Sequence, residues 1–84
     1  MVSNAFTKLD RIIAIIDDTY PQQWSSEGGP GLDLFQREGI KFARAEDKPG
    51  LWGAWYANDP ETVYYAVNGL LAGCICYIAN NFHK

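Results

Sequence analysis

The stretch Asp59–Asn81, DPETVYYAVNGLLAGCICYIANN, constrains this chain most, because it carries no charge after Glu61. A segment that apolar has to be covered by the rest of the chain. Asp59 is suited to accept a backbone N–H as a helix N-cap, Pro60 then occupies the first helical position, and Glu61 complements the positive helix end. The spacing therefore predicts a long helix. At about 100° per residue, Val63, Val67, Leu70, Leu71, Cys74, Ile75 and Ile78 fall on one broad arc, with Tyr64 and Tyr77 at its margins. The opposite side holds Ala66, Gly69, Ala72, Gly73, Cys76 and Ala79, so a second element can approach closely there and burial on both sides is expected.

Two rivals compete with that helix. A bilayer span needs roughly 20 consecutive apolar residues; the run Val63–Ala79 is shorter and contains Asn68, although Gly69 and Gly73 have the small-xxx-small spacing of membrane helix pairs. The other rival is a break at Gly69 with a strand after it, since short apolar runs suit either state. This would add a third strand to the sheet.

With 84 residues the chain is read as one domain, 1–84. Hydrophobic residues make up 48% of it and aromatics 14%, which favours a packed globule over disorder. The net charge of −3 gives a nucleic-acid partner little electrostatic help. The N-terminal MVSNAFTKLDR lacks a basic leader followed by an apolar run, and there are only two cysteines, so a reducing cytoplasm is the expected location.

Earlier in the chain, residues 3–20 form an amphipathic helix by spacing, with Phe6, Leu9, Ile12, Ile13, Ile16 and Tyr20 as its stripe, Ser3 or Asn4 as its cap and Pro21 as its end. The adjacent Asp17 and Asp18 point about 100° apart on a helix and read as a solvated face. PQQWSSEGGPG then reads as a loop. Within it Trp24 is either a plug on a small core or an exposed anchor. Gly28–Gly31 lacks the Gly-Lys-Ser/Thr ending of a phosphate loop.

Residues 32–39 suit a short helix, with Leu32 and Phe35 inward and Gly39 as a left-handed cap. Alternation over Ile40–Ala45 and Leu51–Ala57 predicts a β-hairpin, joined by a type II turn at Asp47–Gly50 with Pro49 presetting φ. Trp52, Ala54 and Tyr56 share one face of it, Gly53 and Trp55 the other. The architecture expected is α+β: a long N-terminal helix, a short helix, a hairpin and a long apolar C-terminal helix in one small domain.

No residue pattern specifies catalysis, a metal or a cofactor. Cys74 and Cys76, two apart on a helix, cannot meet one ion and read as buried structural thiols; His83 sits in the tail as a solvated residue. Glu27, Asp33, Glu38, Glu46, Asp47, Asp59 and Glu61 lie mostly near element ends, where capping explains them. Lys41, Arg44 and Lys48 make a small basic patch among Phe42, Trp52 and Trp55, thin support for single-stranded nucleic acid in an acidic chain.

The function expected from these features is non-enzymatic binding of another protein, as an inhibitor, immunity or adaptor protein of a microbe or phage. Aromatic and arginine side chains dominate such interfaces, which makes Trp24, Arg44, Trp52, Trp55 and Tyr56 the candidate partner-binding residues. The alternative is a small ligand-binding domain or enzyme, its pocket lying between hairpin and C-terminal helix and lined by Trp52, Tyr64, Tyr65 and Cys74. A further expectation is homo-oligomerisation through Gly69 and Gly73.

Overall fold

The computed structural model describes residues 6–82. The fold is α+β, with three helices and one antiparallel sheet: α1 (Lys8–Asp17), α2 (Gly28–Glu38), β1 (Ile40–Arg44), β2 (Trp52–Tyr56), β3 (Asp59–Ala66) and α3 (Gly69–Phe82). The strand order is β1-β2-β3. α3 lies on one face of the sheet, α1 and α2 pack on α3, and α2 also reaches β1.

The long C-terminal helix is thus two elements. Asp59–Ala66, expected as its first half, is an edge strand, and the break near Gly69 has the strand before it and the helix after it. Local cap signals at Asp59, Pro60 and Glu61 lose to pairing with β2, where Thr62, Val63, Tyr64 and Tyr65 are good strand residues. Pro60 is tolerated because an edge strand has one side without ladder partners. Asn68 is the cap that sequence periodicity overlooked: its Oδ1 accepts the Leu71 N–H at 2.9 Å, and its carbonyl accepts from Ala72 at 3.0 Å. At the other end α3 continues through both Asn80 and Asn81, whose Nδ2 donates to the Tyr77 carbonyl at 2.9 Å.

α1 is shorter than expected. Thr7 caps it in a reciprocal box with Asp10, while Ser3 and Asn4, the expected caps, lie outside the described residues. Its end is set by Asp18 in the left-handed region, φ 55°, rather than by Pro21. α2 begins earlier than expected, at Gly28, because Pro30 falls in the first turn, where a helix has no use for its N–H. Gly39 ends it with φ 76° as the sequence indicated, and Gly50 takes φ 82° in the β1–β2 turn.

The small face of α3 is occupied from within the chain. A Cβ on Gly73 would lie 2.1 Å from the Phe35 ring of α2, and one on Gly69 would lie 2.5 Å from the Phe42 ring of β1. The two rings meet edge to face, with centroids 5.7 Å apart, and Phe42 continues to Trp52 at 6.0 Å. These glycines are therefore not available as a seam for a second copy. Around this stack Ile13, Leu34, Ile40, Ala54, Ala72, Cys74, Cys76 and Ile78 complete the core.

Gly73→Ala should lower stability by about 1–3 kcal/mol through overpacking, although alanine favours a helix by roughly 1 kcal/mol. Denaturant unfolding measures it, and a midpoint equal to or above the parent would mean that Phe35 has room to move.

Candidate functional site

The five residues expected to form one surface are distributed over four environments. Trp24, 5% exposed, belongs to the core and is a plug rather than an anchor. Asp10 holds it there: this fully buried carboxylate accepts the Ser25 N–H at 2.9 Å and the Thr7 N–H at 3.0 Å. Arg44 is exposed and lies over the Trp52 ring, with its guanidinium carbon 5.5 Å from the ring centroid. Trp52 and Tyr56 are half-buried on the face of the sheet that meets α3, and Trp55 is half-buried on the other face.

The solvent face of the sheet contains residues that sequence reading missed. Val63 and Tyr65 lie over Gly53 of β2, where a Cβ would come within 2.8 Å of Val63 Cγ1 and 3.3 Å of Tyr65 Cε1. Lys41 is opposite Trp55 in the register, and the Lys48 ammonium stands 5.1 Å from the centroid of Tyr65. Tyr65 remains 39% exposed. Reading Thr62–Ala66 as an alternating strand would have separated Val63 and Tyr65 from Tyr64 and Ala66.

A polar knot joins the three helices. Tyr77 of α3 donates its hydroxyl to Asp17 of α1, and Arg37 of α2 donates to Asp17 at 3.2 Å and to Tyr77 Oη at 3.2 Å. Asp17 is consequently no solvated residue, and Asp18 is a helix cap. Burial, and then the bond to Asp17, hold the Tyr77 phenol well above the ordinary tyrosine range. The adjoining cleft of about 440 Å³ is lined by Asp17, Trp24, Asp33 and Arg37, but its central ion pair is already satisfied internally.

A second cavity, of about 320 Å³, opens between the β2–β3 hairpin and the end of α3, lined by Tyr56, Asp59, Thr62, Tyr64 and Asn80. Its origin is a register irregularity: Ala54 pairs with Tyr64 but Tyr56 with Asp59, so two positions on β2 span five on β3. Neither Ala57 nor Asn58 has positive φ, so the two-residue connection is not a type I′ turn. The alternative reading placed a pocket between the β1–β2 hairpin and the C-terminal helix; this cavity opens instead at the β2–β3 hairpin, and of Trp52, Tyr64, Tyr65 and Cys74 only Tyr64 lines it.

Cys74 and Cys76 are free and fully buried. Burial, then the charge of Asp10, pushes the Cys74 thiol up to about 12; burial, then Asp59, pushes Cys76 up to about 11. No group of three metal-ligating side chains comes together among the described residues, and His83 lies outside them. Among those residues no helix is long and apolar enough to cross a membrane. No protein family, curated protein or solved structure matches the chain.

Tyr77→Phe should cost about 1–3 kcal/mol, because it removes a partner of the part-buried Asp17. Tyr56→Phe should be neutral or stabilising, since the Tyr56 hydroxyl is buried without a well-formed hydrogen bond. Paired denaturation curves test the contrast; equal losses in the two variants would refute it.

Stability should also fall as pH rises above 9, the ordinary thiol value. The unfolded chain then releases thiol protons that the folded chain retains up to about 11 and 12, so the folded state is progressively disfavoured. Cys74 alone accounts for a loss on the order of 1 kcal/mol by pH 10. A urea midpoint unchanged between pH 8 and 10 would contradict this, and Cys74→Ala should flatten the decline.

Proposed function

We propose that this chain is a small non-enzymatic protein-binding module, acting as an inhibitor, immunity or adaptor protein, and that it meets its partner with the solvent face of its sheet. One observation carries the reading. All three helices stack on the opposite side, so Trp55, Val63 and Tyr65 stand on a face that no other described element covers. Aromatic side chains on a rigid sheet lose little entropy on binding and contribute large contact areas, as interface anchors do.

The aromatic centre of this face is flanked by lysines, with Glu61 at its margin two positions before Val63 on β3. The chain has a net charge of −3, yet Lys41 adjoins Trp55 and Lys48 lies over Tyr65. The complementary partner is a protein surface with an apolar centre and carboxylates around it, which such lysines would steer and orient. The free buried thiols suit work in a reducing compartment, in keeping with a cytoplasmic site of action.

The test is capture from lysate of the source cell, followed by calorimetry on the identified protein. Trp55→Ala and Tyr65→Ala should each weaken binding at least tenfold, Lys8→Ala on α1 should not, and raised salt should weaken the complex. Retention of full affinity by both aromatic variants would refute the surface, as would loss in the Lys8 control.

A further inference from the structure

The cavity between the β2–β3 hairpin and α3 has a chemistry of its own, separate from the solvent face of the sheet. Tyr56 and Tyr64 supply aromatic walls, Asp59 a carboxylate, and Thr62 and Asn80 neutral oxygens. Its volume of about 320 Å³ lies within the range of small-ligand sites, roughly 300–1,000 Å³. Two of its groups bear on what it could hold, one buried and one open to solvent. The Tyr56 hydroxyl is buried without a well-formed hydrogen bond, although Asn80 stands beside it. Asp59 makes no ion pair among the described residues, whose salt bridges all involve Arg37.

From these we infer that the cavity binds a primary alkylammonium group, with Asp59 as counter-ion, Tyr56 and Tyr64 as aromatic walls, and the Tyr56 hydroxyl as an acceptor. A primary ammonium brings one positive charge and three N–H donors. The carboxylate of Asp59 answers the charge, and the oxygens of Tyr56, Thr62 and Asn80 provide neutral acceptors for the donors. Tyrosine faces add cation–π attraction. An anion would meet the Asp59 carboxylate, and a quaternary ammonium would leave the Tyr56 hydroxyl without a donor.

The electrostatics of the floor agree. Burial, then the neighbouring Cys76, pushes the Tyr56 phenol up to about 12, and Cys76 itself is pushed up to about 11, so both remain neutral near pH 7. Asp59 therefore supplies the one negative charge among the lining residues, matched to a monocation. The ammonium is carried either by a small free amine or by a lysine side chain of another protein.

Titration of the full chain with n-butylammonium chloride at pH 7, followed by amide NMR, tests the site. Saturable shifts are expected at Asp59, Thr62 and Asn80, with much weaker responses to 1-pentanol, pentanoate and tetramethylammonium. Asp59→Asn should weaken binding at least tenfold and Tyr56→Phe at least threefold, each with the remainder of the spectrum preserved. Trp55→Ala should bind butylammonium normally, which separates this site from the sheet surface. Tighter binding of Nα-acetyl-lysine methylamide would assign the ammonium to a protein side chain, and tighter binding of butylammonium to a small amine. The inference fails if butylammonium gives no saturable shifts, if pentanol gives equal ones, or if Asp59→Asn binds as the parent does.

Discussion

The fold depends on two phenylalanine rings seated in two gaps along one helix. Gly69 and Gly73 are one helical turn apart, and the absence of a side chain at each admits Phe42 from the sheet and Phe35 from α2. Because those rings also pack edge to face on each other, α3 is fixed against the sheet and α2 together. α1 then closes a third side, where Ile13 and Cys74 are fully buried. A helix enclosed in this way has no use for a polar face, which is why α3 is apolar or small almost all round.

Carboxylates hold this arrangement in register where hydrophobic contact alone would leave it free to slide. Asp10 ties the start of α1 to Ser25 and so keeps Trp24 under the helices; Asp17 ties its end to Tyr77 and Arg37. Asp10 binds the buried Ser25 N–H, and Asp17 the part-buried Tyr77 hydroxyl, donors whose partners matter more than the net energy of any single bond. The sheet divides its aromatic side chains accordingly. Phe42, Trp52, Tyr56 and Tyr64 serve the interior, while Trp55 and Tyr65 remain on the outer face. The Tyr56 hydroxyl is the buried side-chain polar atom, among the described residues, that this internal satisfaction does not reach.

Sequence alone determined the α+β class, the amphipathic first helix, the left-handed cap at Gly39, the β1–β2 hairpin with its turn at Pro49 and Gly50, and the burial of both cysteines. Each is local: a periodicity, a glycine at a positive φ, a proline that presets a turn. It also identified the small side of α3 as a place of close approach, since the absence of side chains is visible in any listing of residues. What it could not supply was the occupant. Tertiary structure decided that Phe35 and Phe42 fill that side, that Trp24 turns inward, that Asp59–Ala66 pairs as a strand despite its helix-start signal, and that Asn68 is the cap in use. It alone also placed Tyr56, Asp59 and Asn80 around one cavity and left Trp55 and Tyr65 on the outer face of the sheet. The reason is that strand pairing and ring packing join residues far apart in the chain, and their combined free energy outweighs the roughly 1 kcal/mol that a local cap or propensity contributes.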